Sequence, residues 1–274
     1  VKNKIPVSIN REHVLKLLSK GMRIDGRDLL NYRPISINFE VAGKADGSAS
    51  VRFGDTYVMV GVKAEIGKPF PDTPGEGVLL VNAEFVPLAS PDFEPGPPNE
   101  DAIELARVVD RGLRKGEVVD LKELCIVPGE KVWMLWVDIY ILDHNGNLMD
   151  AAALASLAAL MNTKLPEVKV EGEEIIKTGK FKPLNIKDYP IAVTLGKIGE
   201  SFIVDPLLDE EQLMDCRLTV ITTKSGNICA LQKSFSGTFS QGDVLKALNI
   251  AVEKGKELRD LLFSSFEKFS SSKA

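Results

Sequence analysis

The chain has little of what metal and nucleophile chemistry needs. Its 274 residues include two histidines, His13 and His144, and three widely spaced cysteines, Cys125, Cys216 and Cys229. That leaves little material for a Cys/His metal cluster or a Ser-His-Asp triad, so no metal or cofactor is expected. An odd cysteine count gives no disulfide frame and suits a reducing compartment, so a cytoplasmic location is expected. No apolar run approaches a membrane span, and VKNKIPVSINREHVLKLL does not read as a secretory signal. A basic surplus is also missing: 34 Lys and Arg face 39 Asp and Glu, a net charge of −5. A free-standing nucleic-acid binder is usually basic. Any contact with RNA or DNA must therefore use a local patch or be shared with a basic partner, which favours an assembly.

What is present is a normal soluble composition, 44% hydrophobic, enough to bury a real core. Residues 8–22 read as a short amphipathic helix with Val14, Leu17 and Leu18 on its apolar stripe. The arginine-rich loop GMRIDGRDLLNYRP follows, and solvated salt bridges are expected of Arg23, Arg27 and Arg33, with a subunit contact as the alternative. Strand patterns run over 35–41, 47–54, 56–66, 78–89 and 132–144, with hairpin turn residues between the first three. Trp133 and Trp136, three apart in a strand, face opposite sides. DAAALASLAALMNT (150–163) has the content of a buried helix. Residues 164–189 lose apolar periodicity and read as a connection holding a small hairpin. Strands at 190–198, 201–205, 216–223 and 227–234 and a long helix from about Ser240 to Phe266 complete the second half, before a Ser-rich frayed tail. Strand runs followed by packed helices give an α+β protein of two similar halves, residues 1–163 and 190–274.

The most informative stretch is FEPGPPNEDAIELARVVDRGLRK, residues 93–115. Pro97 and Pro98 cannot lie inside a helix, and Asn99 is a good N-cap. Glu100 and Asp101 suit the first turn, Arg111, Arg114 and Lys115 the last, and Gly116 can stop the helix. Ala102, Leu105, Val109 and Leu113 share one face, while Glu104, Arg107, Arg111 and Arg114 line the other. Arginines at i, i+4 and i+7 can hold several phosphates of one strand. The same spacing also allows Glu104–Arg107 and Asp110–Arg114 ion pairs on a solvated face, and both readings stand at this point.

RIDGRDLLNYRPISI, KADGSASVRFGDTYVMVGVKAEI, FEPGPP with ELARVVDRGLR, and VWMLWVDIYILDHNGNLMDAAALASLAAL occur in the order and spacing of RNase PH-like proteins. The chain resembles that family from about Met22 to Leu262, and within it the non-catalytic ring subunits of archaeal exosomes. The resemblance implies the RNase PH-like fold. It implies a hexameric ring of three heterodimers with a catalytic RNase PH-type partner, S1- or KH-containing cap subunits on one face, and single-stranded RNA in the channel. Active members cleave the 3′ end of RNA with inorganic phosphate, which needs an anion site and a carboxylate near the leaving oxygen or its metal.

Against that pattern this chain departs in two places. The phosphate turn is Asn145, Gly146, Asn147, Leu148, Met149 and Asp150, without its Ser/Thr-Arg, and Pro97-Pro98 replace an arginine pair. Asp205 matches the first catalytic aspartate and Glu211 falls at the second; a strand-ending turn is the plainer reading of Asp205-Pro206. Arg107, Arg111 and Arg114 match the RNA-binding stripe of the non-catalytic subunit, with Asp110 competing for Arg114. The rival implied by the surviving acids is a phosphorolytic 3′-to-5′ exoribonuclease active in its own right. His144 reads as a surface or capped histidine. Lys63 and Lys68 are candidates for a place near an RNA path.

Overall fold

The computed structural model describes residues 11–171 and 174–273. The first helix, α1, is Arg11–Leu18; residues 8–10 of the expected helix lie outside the described residues. Its Val14 and Leu18 pack with Ile198, Ile203 and Met214 in a small cluster of their own.

Six strands form the larger sheet: β1 (Ile35–Phe39), β2 (Gly47–Phe53), β3 (Thr56–Gly67), β4 (Val78–Phe85), β5 (Cys125–Val127) and β6 (Lys131–Asp143). Their order is β1-β2-β3-β6-β4, with β5 on the end of β6. Short turns make β1, β2 and β3 a meander, whereas β4 runs parallel to β6 because α2 (Glu100–Lys115) lies in the crossover between them. Alternation sends Val58, Val60 and Val62 of β3 and Val137, Ile139 and Ile141 of β6 to one face, all 1% exposed or less. Trp133 is buried and Trp136 half-buried on opposite faces of β6.

α3 (Leu148–Met161) has no polar face, and every residue from Met149 to Leu160 is buried. It packs on β2 and β3 on one side and on the second sheet on the other, which is why alanine suits it: small side chains let two sheets approach one helix. After α3 comes a hairpin, β7 (Lys164–Glu171) and β8 (Glu174–Pro183), inside the stretch read as a connection.

The second sheet is antiparallel, order β10-β9-β11-β12, from β9 (Ile191–Ile198), β10 (Ser201–Val204), β11 (Cys216–Thr222) and β12 (Ile228–Ser234), with a one-turn helix, α4 (Leu208–Glu211), between β10 and β11. α5 (Gln241–Ser271) crosses β9 and β11 and reaches β1, so one continuous core spans both sheets. The expected frayed tail is corrected here. Helix α5 runs on to Ser271 because Phe266 and Phe269 meet Phe39, with ring centroids 5.3 and 5.0 Å away. Serine is a tolerable helix residue, and two aromatic anchors outweigh it. Among the described residues no helix is long and apolar enough to cross a membrane.

Candidate nucleic-acid interface

α2 forms where its caps dictate. The Asn99 side chain accepts from the Ala102 N–H at 2.9 Å, and Ala102, Leu105, Val108, Val109, Gly112 and Leu113 turn inward. The helix stops at Gly116, although not through a left-handed glycine: Gly116 has φ −82° and Glu117 takes the positive φ instead. Gly116 is needed for space, since a Cβ there would stand 2.6 Å from the Pro190 ring.

The outer face presents the three arginines in three different states. Arg107 is exposed and has no ion pair or hydrogen bond among the described residues. Arg111 is exposed and makes one contact, donating from Nη1 to Gln232 Oε1 on β12 at 3.2 Å. Arg114 is half-buried. It pairs with Asp110 at 2.8 Å and donates from Nη2 to the Leu79 carbonyl, tying α2 to β4. Of the two expected intrahelical pairs, Asp110–Arg114 forms and Glu104–Arg107 does not. Glu104 turns instead to β12, accepting from Ser234 Oγ at 2.6 Å and Gln232 Nε2 at 3.1 Å.

The acidic segment after β10 is closed. Asp205 sits at φ +53° with no exposure and accepts five hydrogen bonds. Arg33 gives three of them: Nη2 to Oδ1 at 2.7 Å, with Nε and the backbone N–H to Oδ2 at 2.9 Å each. Arg27 Nη1 reaches Oδ2 and Asn147 Nδ2 reaches Oδ1, both at 2.9 Å. Burial pushes the Asp205 carboxyl up, but the hydrogen bonds and charge of Arg33 outweigh it and hold the group below its usual value. Next to it, Glu210 is fully buried against Arg23, whose Nε donates at 2.9 Å. The solvated loop expected at Arg23, Arg27 and Arg33 is therefore corrected: Arg23 and Arg33 are 2% and 6% exposed and clamp the segment Val204–Glu210 from within.

The turn in the position of the phosphate loop is occupied by the protein itself. Gly146 (φ +84°) and Asn147 (φ +52°) are both left-handed, and a Cβ on Gly146 would lie 2.4 Å from the Pro206 carbonyl. Glu211 Oε1 accepts from the Asn147 N–H at 2.9 Å, so a carboxylate already sits at the start of α3, where an anion would bind. Burial raises the Glu211 carboxyl above its usual value. Leu148 and Met149 then turn into the helix, and Asp150, buried at its third position, accepts from Thr194 N–H at 3.0 Å, Thr194 Oγ1 at 2.7 Å and Asn147 Nδ2 at 3.1 Å. Burial pushes Asp150 up to about 7 despite those donors. His144 stacks on Phe93, and burial lowers it to about 4, so it is neutral at physiological pH. Lys63 pairs with Asp46 at 2.9 Å.

Reasoning from the sequence names Asn147 and Asp150 as members of the turn but misses their buried bonds, and it misses Gln232 and the Arg33–Asp205 clamp altogether. A signal for the clamp was present, three arginines in one loop and an acidic run in another, but pairing them needs the fold.

A mixed sheet and an antiparallel sheet sharing one Ala-rich helix, with an arginine stripe beside a closed acidic site, define an RNase PH-type subunit. Residues 31–166 match the model of the 3′ exoribonuclease family, domain 1, and residues 188–254 that of its domain 2, so the chain belongs to this family. It is 52% identical to the exosome complex component Rrp42 of Thermococcus kodakarensis over 258 residues, 93% of this chain and 95% of that one. To the Rrp42 component of Methanopyrus kandleri it is 51% identical, over 92% of this chain and 94% of that one. Among solved structures it superposes with a TM-score of 0.87 and 46% identity on a chain of the Archaeoglobus fulgidus exosome with RNA bound to the active site, covering 94% of this chain and 99% of that one. It also superposes on rice Rrp46, at 0.69 and 18%, covering 89% of this chain and all of that one, a likeness of fold alone.

Proposed function

We propose that this chain is a non-catalytic ring component of an archaeal exosome, a 3′-to-5′ RNA-degrading complex. It holds the RNA backbone with Arg107 and Arg111, with Arg114 at the end of the stripe, and supports the active site of a catalytic RNase PH-type partner. In this reading residues 1–163 and 190–274 are its two RNase PH-like halves, joined by 164–189. Three heterodimers close the ring in the cytoplasm, and S1- or KH-domain subunits cap it. The relatives named as exosome components support the assembly, and the solved complex with bound RNA supports the ligand.

One observation carries the non-catalytic assignment. The carboxylate that matches a catalytic aspartate, Asp205, is saturated by five internal hydrogen bonds, and the phosphate turn is filled by Glu211 and by a carbonyl of its own chain. A carboxylate with no lone pair to spare and no anion site beside it cannot assist phosphorolysis. Arg107, by contrast, has its whole guanidinium available.

The test is reconstitution. The purified chain in phosphate buffer should release no nucleoside diphosphates from single-stranded RNA, and the mixture with its catalytic partner should. Arg107→Glu with Arg111→Glu should leave the ring assembled but weaken RNA binding by about 1.5–3 kcal/mol per lost contact. The salt dependence of binding should become shallower by about 0.7 log unit per contact. Phosphate-dependent turnover by the partner-free chain would overturn the non-catalytic reading. Unchanged binding by the double variant across salt concentrations would overturn the stripe.

A further inference from the structure

Arg111 is the one member of the stripe that is both exposed and held. Its holder is a neutral side chain, Gln232, from an edge strand of the other sheet. Gln232 Oε1 accepts from Arg111 Nη1 at 3.2 Å, and Gln232 Nε2 donates to Glu104 Oε1 at 3.1 Å. The same Glu104 oxygen accepts from Ser234 Oγ at 2.6 Å, and Arg217 lies 3.9 Å from its other oxygen.

The chemistry of the three groups allows one arrangement. A carboxylate only accepts and a guanidinium only donates, so the amide must turn its NH2 to Glu104 and its oxygen to Arg111. Glu104 thus fixes the orientation of an amide that fixes the orientation of the arginine. The charges matter as much as the geometry. Glu104 lies two turns from Arg111 on the same helix, and a direct ion pair between them would consume the charge that a phosphate needs. The intervening amide passes on direction without passing on neutralisation.

We propose that Gln232 is a positioning residue for RNA binding: it aims the Arg111 guanidinium while leaving its positive charge free for a phosphate. The inference rests on the reading of Arg111 as a backbone contact. It makes β12 part of the interface through a neutral side chain, next to Lys233, the strand's one basic residue.

The test uses the full chain in its assembled ring and a labelled oligoadenylate, with binding measured by anisotropy over a range of salt concentrations. Gln232→Met keeps the length of the side chain and removes its hydrogen bonds. It should weaken binding about two- to tenfold with an unchanged salt slope, because Arg111 keeps its charge. Gln232→Glu restores a strong acceptor but neutralises Arg111. It should weaken binding and also flatten the salt slope by about 0.7, as loss of the contact itself would. In an Arg111→Ala background, Gln232→Met should have no further effect. If Gln232→Met binds like the unmutated chain while Arg111→Ala binds weakly, or if the two effects simply add, the positioning role is wrong and the stripe stands. If Arg111→Ala itself binds normally, the reading of the stripe fails and takes this inference with it. β12 is an edge strand and Gln232 is half-exposed, so the substitutions spare the core; an unchanged melting temperature checks this.

Discussion

Replacing Asp205 with asparagine should destabilise the chain strongly and leave the chemistry of an assembled complex untouched, the reverse of what a catalytic aspartate does. The carboxylate lies between two guanidinium groups, with Arg33 6% exposed and Asp205 fully buried. An amide of the same shape can turn its oxygen to the Oδ2 site, facing Arg27 and the Arg33 Nε and N–H. Its NH2 then faces Arg33 Nη2 and Asn147 Nδ2, donor against donor. Removing one partner of a buried ion pair costs about 3–5 kcal/mol. Unfolding entropy of about 2.1 cal/mol/K per residue gives roughly 0.6 kcal/mol per degree for a chain this long, so the melting temperature should fall by about 5–9 °C. Asp209→Asn, one turn on and exposed, is the control and should move it by no more than about 1 °C. Because the folded pKa of Asp205 is lowered, its contribution is present above the unfolded value, about 3.9, and is lost as pH falls through the folded one. The gap between Asp205→Asn and the parent should therefore close toward acid. Calorimetry of the purified chain, paired with the RNA degradation rate of the complex well below both melting temperatures, decides the matter. A melting temperature within about 2 °C of the parent together with a rate loss above about tenfold would refute the clamp and restore a catalytic role to this carboxylate.

Asp150 should give the opposite pH signature. Its folded pKa is raised to about 7, so its stabilising share is fully present below the unfolded value and is lost as pH rises toward 7. Asp150→Asn should flatten that decline, and a variant whose melting temperature still falls as steeply between about pH 4 and 7 would count against it. Gly146→Ala should lower stability by more than the ~1–2 kcal/mol of a left-handed alanine, because the added methyl meets the Pro206 carbonyl; denaturant titration with an unchanged midpoint would rule out the tight turn.

Local physics made much of this fold legible. Asn99 as N-cap, the inward face of α2 and the limits of β1, β2, β3 and β6 depend on neighbours three or four residues away or on simple alternation, and those relations are written along the chain. The failures share a different cause. Arg23 and Glu210 are 187 residues apart and Arg33 and Asp205 are 172 apart, so the loop looked solvated when read alone. The tail looked frayed because Phe266 and Phe269 have nothing to pack on until Phe39 is brought to them. The spacing allows Glu104 to pair with Arg107, its i+3 neighbour, yet Ser234 and Gln232 hold it from another sheet.

The placement of Glu104 bears on how an acidic chain can offer a basic stripe. Net charge counts carboxylates wherever they are, but a phosphate meets only those near the surface it approaches. Here Glu210 is spent on Arg23 and Asp205 on Arg33 and Arg27, all buried or nearly so. On α2, Asp110 is spent on Arg114 and Glu104 on β12. The two acids of α2 within one turn of Arg107 or Arg111, Glu104 and Asp110, are thus claimed by other donors. Had Glu104 folded back on Arg107, the same sequence and the same net charge would have given a solvated ion-pair face. The second sheet, by taking Glu104 away from the helix, is what leaves the two arginines available.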